Sequence, residues 1–402
     1  MATVFSLKGR GLKLDTAADV EPLINGVDPS KLEEIHLEGN TIGVDASQAL
    51  AAFISQATNI KIANFADIFT GRLISEIPQA LSALCDALVD KTSLVEIDLS
   101  DNAFGGRSVD PIVPLLTKNR VFQILKLNNN GLGPAGGSVI AGALLESAQL
   151  SKAAGTPSNL RTVICGRNRL ENGSAGVWAQ AFGAHGGLKE VRMPQNGIRM
   201  EGIIELAKGL AKNPTLESID FQDNAFTVGE DLAGIEAWSE ALSSWPELHT
   251  LNLSDCIIST EGEVPSLLTA LVGGSNPKLK KLQLQNNNLE TASFKLLAGV
   301  IGTTLKNIQR LELQWNEVEE DDEHIETLSD SLKQRGGKLI ATEEDEEEDE
   351  QEEGEEETAE EEIKKEAPVV AEAIKEENKE PSVKEEDTST DDLIAKLSEV
   401  KI

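Results

Sequence analysis

A pattern of apolar residues with one asparagine recurs along this chain of 402 residues and constrains its fold more than any other feature. Its clearest copy places Leu32, Ile35, Leu37, Asn40 and Ile42 at fixed intervals. Nine further copies begin at Ile60, Leu94, Phe122, Leu160, Leu188, Leu216, Leu248, Leu279 and Ile308. Successive copies lie 28 to 38 residues apart, a period typical of solenoids in which each repeat packs on its neighbours.

The spacing within the motif predicts a short strand followed by a turn. Apolar residues two apart, such as Ile35 and Leu37, point to the same face of a strand. The asparagine that follows can satisfy backbone groups of the turn, so stacked copies predict an asparagine ladder. Eight copies have asparagine at this position: Asn40, Asn102, Asn130, Asn168, Asn196, Asn224, Asn287 and Asn316. Cys256 and Ile68 take the position in the other two, and we interpret Cys256 as a structural thiol.

Helices are predicted between the motifs, for example over residues 45–57 and 134–150, whereas residues 151–159 are expected to form a surface loop. A strand and a helix in 28–29 residues give an inner rim that is narrower than the outer one. The predicted fold is therefore an α/β leucine-rich-repeat horseshoe, a ribonuclease-inhibitor-like solenoid with a parallel inner sheet and outer helices. We expect caps in residues 1–31, which contain a half-repeat, and in residues 321–340, which indicate a final helix and strand.

Charge divides the chain into two predicted parts. Residues 343–402 hold 27 acidic and 7 basic residues of a chain whose formal charge is −33. Residues 1–342 are predicted to form the repeat domain with its caps, and residues 343–402 an acidic, mostly disordered tail, with a short helix near 391–401. A solubilising tail and an electrostatic contact with a basic partner are both open interpretations. An acidic repeat domain argues against general binding of nucleic acid, which needs surplus Lys and Arg.

Composition also limits the chemistry of the chain. The cysteines Cys85, Cys165 and Cys256 are far apart and form no CxxC pair, which argues against a zinc site or a disulfide framework. No apolar run has the length of a signal peptide or a membrane span, so we expect an intracellular protein without membrane insertion. The sequence contains no GxxxxGK[ST], GxSxG or HExxH motif, which disfavours an enzyme in its own right.

One copy departs from the pattern. The copy that starts at Ile60 has Ile68 at the ladder position and Thr70 where all nine other copies have an apolar residue. Local failure of a consistent pattern is expected at functional sites. Arg72 follows directly in the same turn, and Asp67 precedes the ladder position. We therefore expect a functional site at this turn.

Other polar residues follow the strands of the neighbouring copies. Asp101 precedes one ladder position, Asn128 and Asn129 precede the next, and Arg167 and Arg169 flank the third. Because adjacent strands lie about 4.8 Å apart, these copies would form a patch roughly 15 Å long on one rim. The size of this patch suits a protein partner, although any single exposed arginine on a solenoid is more often only solvated.

These irregular residues carry a family resemblance. The sequence resembles the Ran GTPase-activating proteins at FADIFTGRL (65–73), SDNAFG (100–105), LNNNGLGP (127–134) and ICGRNRLENGS (164–174), and the likeness extends over essentially the whole chain. The resemblance implies a GTPase activator that binds GTP-bound Ran and stimulates its GTP hydrolysis, in support of nucleocytoplasmic transport. In this family an asparagine, in place of an inserted arginine finger, orients the catalytic glutamine of the GTPase.

The resemblance also assigns residues. It implies that Asn129 orients the glutamine of the partner and that Arg72 is essential, holding the interface more than touching phosphates. The residues expected to contact the partner are Asp67, Thr70, Asp101, Arg167 and Arg169.

Further expectations concern cofactors, partners and cellular location. The chain needs no cofactor or metal of its own, since GTP and Mg²⁺ belong to the GTPase. Ran in its GTP form is the expected partner, with a Ran-binding protein as a further one, and we expect a cytoplasmic monomer. The alternative is a non-catalytic leucine-rich-repeat scaffold, or an inhibitor that docks as ribonuclease inhibitors do.

Overall fold

The computed structural model describes residues 3–259, 262–317, 322–342 and 345. The chain divides into two units, Met1–Glu353 and Gly354–Ile402, and the first contains the repeats. The predicted tail of residues 343–402, including the predicted helix near 391–401, lies outside the described residues except for Asp345.

Short parallel strands make up the inner layer of the first unit. The strands are β1 Val4–Ser6, β2 Lys13–Leu14, β3 Glu34–His36, β4 Thr41–Ile42, β5 Ile62–Asn64, β6 Glu96–Asp98, β7 Ile124–Lys126, β8 Thr162–Ile164, β9 Glu190–Arg192, β10 Ser218–Asp220, β11 Thr250–Asn252, β12 Lys281–Gln283, β13 Arg310–Glu312 and β14 Lys338–Ile340. Twelve of these form one sheet in the order β1-β3-β5 and then β6 to β14, while β2 and β4 pair separately. Neighbouring strands run parallel and in register, so that Leu125, for example, lies between Ile97 and Val163.

Helices connect the strands and cover the buried side of the sheet. They are α1 Ala17–Ile24, α2 Val44–Gln56, α3 Ile77–Asp86, α4 Val113–Lys118, α5 Gly133–Ala153, α6 Glu171–His185, α7 Met200–Leu210, α8 Ala233–Leu242, α9 Ser266–Val272, α10 Thr291–Val300 and α11 Glu323–Lys333. Two 3₁₀ turns span Pro29–Lys31 and Asp110–Ile112, and the second leads directly into α4. No helix in the described ranges is both long enough and apolar enough to cross a membrane. The predicted leucine-rich-repeat horseshoe is confirmed.

The asparagine ladder is also confirmed, and its hydrogen bonds explain why the repeat requires this residue. Asn130 donates from Nδ2 to the carbonyls of Leu99 and Leu127, at 3.0 and 3.1 Å, and so bridges two repeats. Its Oδ1 accepts from the backbone N–H of Asn102 at 3.0 Å. Cys256 takes the ladder position as a buried thiol, which donates to the carbonyl of Phe221 at 3.4 Å.

Three boundaries differ from the sequence-based expectation. The N-terminal cap adds a full strand, β1, to the main sheet, with Phe5 beside Ile35. The helix predicted to end at residue 150 continues to Ala153, so the expected loop begins three residues later. The predicted C-terminal helix and strand of residues 321–340 are present as α11 and β14, and the helix begins at Glu323 after Asp322 caps it.

The core is a continuous stack of aliphatic side chains, with one aromatic cluster near α8. Each strand of the main sheet buries its middle residue, such as Leu125. A side chain of this size contributes roughly 1.5–3 kcal/mol when its neighbours cover it. Trp238 and Trp245 lie edge to face in the aromatic cluster, and each donates from Nε1 to a helix carbonyl at 3.1 Å. These two tryptophans thereby bury their indole N–H groups with a hydrogen-bond partner for each.

Candidate functional site

The residue directly before each ladder position has a left-handed backbone in all ten copies. Its φ angle ranges from 46° at Asp67 to 73° at Gly39. This row, which we call the rim row, consists of Gly39, Asp67, Asp101, Asn129, Arg167, Gln195, Asp223, Asp255, Asn286 and Trp315. Glycine, asparagine and aspartate tolerate this conformation best, and they fill seven of the ten positions.

Backbone hydrogen bonds fix the rim row from one repeat to the next. The N–H of Asp101 donates to the carbonyl of Asn128 at 2.8 Å, and that of Asn129 donates to the carbonyl of Gly166 at 2.9 Å. Arg167 makes the same bond to Pro194 at 2.9 Å. The turns are therefore rigid. Four of the residues singled out in the sequence, from Asp67 to Arg167, lie on consecutive repeats of one rim.

Asn129 is the exposed member of three consecutive asparagines. Asn130 is buried in the ladder, and Oδ1 of Asn128 accepts from the N–H of Gly166 at 2.7 Å. Asn129 instead projects its amide from the rim, and its Nδ2 donates to Oδ1 of Asp101 at 3.0 Å. Asp101 and Asn129 therefore present one amide in a fixed orientation, with Nδ2 turned towards the carboxylate.

The irregular second copy continues the rim row. Ile68 and Phe69 are both buried, so Phe69 supplies the apolar contact that Thr70 no longer makes. The hydroxyl of Thr70 is exposed and donates to Oδ1 of Asp67 at 2.6 Å. In this copy the apolar core residue therefore stands one position earlier than in the other copies. The polar pair of Asp67 and Thr70 then lies on the rim, beside Asp101.

Arg72 folds back against the N-terminal cap. Its side chain is only 8% exposed. Nε donates to the hydroxyl of Thr41 at 2.9 Å, while Nη2 donates to the carbonyls of Leu14 and Thr41 at 3.0 and 2.7 Å. Nη1 pairs with Asp15, and this hydrogen bond is the main cause that lowers the pKa of that carboxyl. The guanidinium therefore holds β2 and β4 to the irregular turn, which supports an indirect role at the rim.

Two apolar residues directly after Arg72 are exposed, and the sequence did not predict this. Leu73 and Ile74 are 67% and 64% exposed, and they precede α3. Gly71, with φ 78°, ends the turn and keeps both residues outside the repeat core. The sequence offers no signal for this exposure, because an apolar residue near a helix start is more often buried, as Ile77 is here. Leu73 and Ile74 therefore expose an apolar surface between this turn and α3.

The two arginines lie at the other end of the patch. Arg167 and Arg169 are exposed and have φ angles of 56° and 53°. The rim is consequently acidic at Asp67 and Asp101 and basic at the arginines, with the neutral amide of Asn129 between them. A partner must match this polarity in one orientation.

A second copy of the amide–carboxylate pair exists farther along the same row. Asn286 donates from Nδ2 to Oδ1 of Asp255 at 2.7 Å, and these two residues again occupy adjacent repeats. This pair lacks flanking arginines in the rim row, because Asp223 and Trp315 precede and follow it. Asn286 is therefore a matched internal control for Asn129.

The cysteines and His36 are the other chemically active side chains that the sequence analysis raised. Burial raises the pKa of all three cysteine thiols, that of Cys165 to about 12, so none of them is a ready nucleophile. His36 lies 3.0 Å from Glu34 on the strand surface. In the described part of the chain, no group of three or more His, Cys, Asp or Glu side chains is arranged to hold a metal ion.

The fold and the ladder define a leucine-rich-repeat protein, and a family model described as "Leucine Rich repeat" matches residues 118–141. "Ran GTPase-activating protein 1" of Saccharomyces cerevisiae is 37% identical over 337 residues, which cover 81% of each chain. The Xenopus laevis protein of that name is 47% identical over 197 residues, 48% of this chain and 34% of that one. "Ribonuclease inhibitor" of Sus scrofa is 25% identical over 267 residues, 64% of this chain and 53% of that protein. The chain belongs to the Ran GTPase-activating protein family.

Proposed function

We propose that this chain binds the GTP-bound form of the GTPase Ran through its rim and accelerates hydrolysis of the bound GTP. The observation that carries this proposal is the exposed amide of Asn129, fixed by Asp101 on a rigid turn. The names of the relatives with 37% and 47% identity support Ran as the partner.

An amide suits this task because it both donates and accepts hydrogen bonds. The catalytic glutamine of a GTPase positions the attacking water, and an amide from outside can hold that glutamine in its productive orientation. Asn129 carries no charge, so it adds no repulsion to the negative phosphates. Because its turn is already rigid, little ordering remains to be done when the partner binds.

The neighbouring residues would supply docking. Asp67 with Thr70, and Arg167 with Arg169, offer opposite charges on either side of Asn129 and thereby set the orientation of the partner. Arg72 acts indirectly, since it holds the turn that carries Asp67 and Thr70. The exposed apolar pair beside it adds contact area.

In this proposal the chain is an activator and not itself the GTPase. It has no cofactor or metal of its own, because GTP and Mg²⁺ are held by Ran. It acts in the cytoplasm as a monomer in support of nucleocytoplasmic transport, and a Ran-binding protein can join the complex.

Single-turnover hydrolysis of Ran-bound GTP tests the proposal. We expect the intact chain to raise the rate by several orders of magnitude over Ran alone, as activators of related GTPases do. Binding to Ran without acceleration would leave a scaffold or inhibitor as the function. An unchanged rate with no binding would overturn the proposal entirely.

A further inference from the structure

A groove of about 370 Å³ lies on the edge of the sheet opposite the rim row. We call it the basic groove, and its cationic lining consists of His249, Lys278, Lys280, Lys306 and Arg335. Its other lining residues are the amides Asn307 and Gln309. His249 and Lys280 directly precede β11 and β12, whereas Asn129 follows the end of β7. The groove is therefore separate from the proposed GTPase site.

The backbone spaces the lining residues regularly. The N–H of Lys280 donates to the carbonyl of His249 at 2.8 Å, and that of Gln309 donates to Lys280 at 2.8 Å. Three adjacent repeats thus place these side chains about 4.8 Å apart along one edge. The spacing belongs to the solenoid and does not depend on a flexible loop.

The charge of the groove is opposite to that of the chain. None of the described residues that line it is a carboxylate, although the chain carries a formal charge of −33. Lys278 pairs with Glu247 at its margin. Lys280 and Lys306 are exposed and make no ion pair within the described ranges. Distant acidic residues are screened over about 10 Å at 0.1 M salt, so a ligand in the groove experiences mainly these cations.

Arg335 adds a fixed donor to the groove. Its Nε and Nη1 donate to the carbonyls of Ile308 and Ile301, both at 2.9 Å, which anchors the guanidinium between repeats. Among the described residues, none accepts a hydrogen bond from its Nη2. The anchored guanidinium thus adds a fixed positive charge to the lining of the groove.

We propose that the basic groove binds an acidic peptide segment of a partner protein. Its cations attract carboxylates, and the exposed amide of Gln309 can both donate to and accept from a peptide backbone. The lining residues that the structure describes include no aromatic side chain, whereas single-stranded nucleic acids are held largely by stacking on aromatic rings. The chemistry therefore favours a carboxylate-rich peptide over an oligonucleotide.

Fluorescence anisotropy of a labelled twelve-residue peptide of alternating Glu and Asp, titrated with the full chain, tests this proposal. We expect salt-sensitive binding that the double variant Lys280→Ala/Lys306→Ala weakens about five- to tenfold. The control variant Lys152→Ala/Lys295→Ala removes the same charge from exposed helix positions and should bind as the parent does. Both variants should keep the parent's effect on Ran, because neither pair lies on the rim.

Three results would overturn the proposal. The first is that the peptide does not bind. The second is that the control variant loses as much affinity as the groove variant, because binding would then follow net charge alone. The third is that a labelled oligothymidylate of equal charge binds as tightly as the peptide, since the groove would then recognise any polyanion.

Discussion

The side-chain amide of Asn129 donates from Nδ2 to Oδ1 of Asp101 over 3.0 Å, and the two residues occupy the same position in adjacent repeats. A carboxylate only accepts hydrogen bonds, so it selects the amide orientation with Nδ2 towards it. The amide oxygen of Asn129 is then turned away from Asp101. This relationship makes Asp101 a positioning residue in the proposed activity.

Substitution of Asp101 tests that positioning role. At saturating concentrations of the chain, Asp101→Ala should lower the stimulated rate of Ran-GTP hydrolysis about tenfold. The reason is that a hydrogen bond of about 1–1.5 kcal/mol no longer orients the amide of Asn129. Asp101→Asn keeps an oxygen acceptor and should retain most of the rate. Single-turnover kinetics at several chain concentrations separate this effect from weaker binding. Equal losses in the two variants would show that the negative charge matters and the orientation does not.

Arg72→Ala should remove most of the stimulation while the chain stays folded. The guanidinium connects the turn to Leu14, Asp15 and Thr41, so its loss should loosen β2 and β4. Hydrogen exchange should then increase in residues 13–15 and 41–43 and remain unchanged in distant repeats. Arg72→Lys should not restore the activity, because a lysine cannot bond to all these acceptors. Unchanged exchange together with lost activity would instead indicate direct contact with the partner.

Asn130→Ala should damage stability, in contrast to a change at its neighbour. The ladder amide makes three buried hydrogen bonds. Its removal leaves the N–H of Asn102 unpaired and takes one of two donors from each of the carbonyls of Leu99 and Leu127. We expect a loss of about 3 kcal/mol in the free energy of unfolding, measured with urea. Asn129→Ala should change that free energy by less than about 1 kcal/mol, because its side chain is exposed. Similar losses for both would contradict the separation of structure and function along this turn.

The free energy of unfolding should fall as the pH is lowered towards 5. Burial lowers the pKa of His185 to about 4, from an ordinary value near 6.5, so the unfolded chain binds a proton that the folded chain does not. Stability from this group is complete above pH 6.5 and is lost progressively between 6.5 and 4. Urea unfolding at pH 7 and pH 5 should show a smaller pH effect in His185→Gln. An identical pH effect in the parent and this variant would exclude His185 as the cause.

Much of the fold followed from the sequence because the repeat determines its own hydrogen bonds. The regular positions of Asn102, Asn130 and Asn168 predicted the asparagine ladder. Apolar residues two positions apart in each copy predicted the strands of the sheet. Strand β1 was missed as a full strand, since Phe5 and Leu7 lack the leading leucine and the asparagine of the motif. The end of α5 at Ala153 also differed, because helix propensity continues through residues expected to form a loop.

The repeat also allowed part of the candidate site to be predicted from the sequence. The rim positions of Asp101, Asn129 and Arg167 follow from the period of the repeat. The inward orientation of Arg72 does not, because its partners Asp15 and Leu14 lie 57 and 58 residues earlier in the chain. The exposure of Leu73 was equally hidden, since an apolar residue near a helix start is more often buried.

The comparison of Asn129→Ala with Asn286→Ala tests the central claim most directly. Both variants remove an exposed rim amide that bonds to an aspartate of the preceding repeat. In single-turnover hydrolysis of Ran-bound GTP, Asn129→Ala should lower the stimulated rate by about 10²–10³-fold, by analogy with the loss of an oxyanion-hole amide. Asn286→Ala should match the parent chain. Full stimulation by Asn129→Ala, or an equal loss in the two variants, would contradict the account.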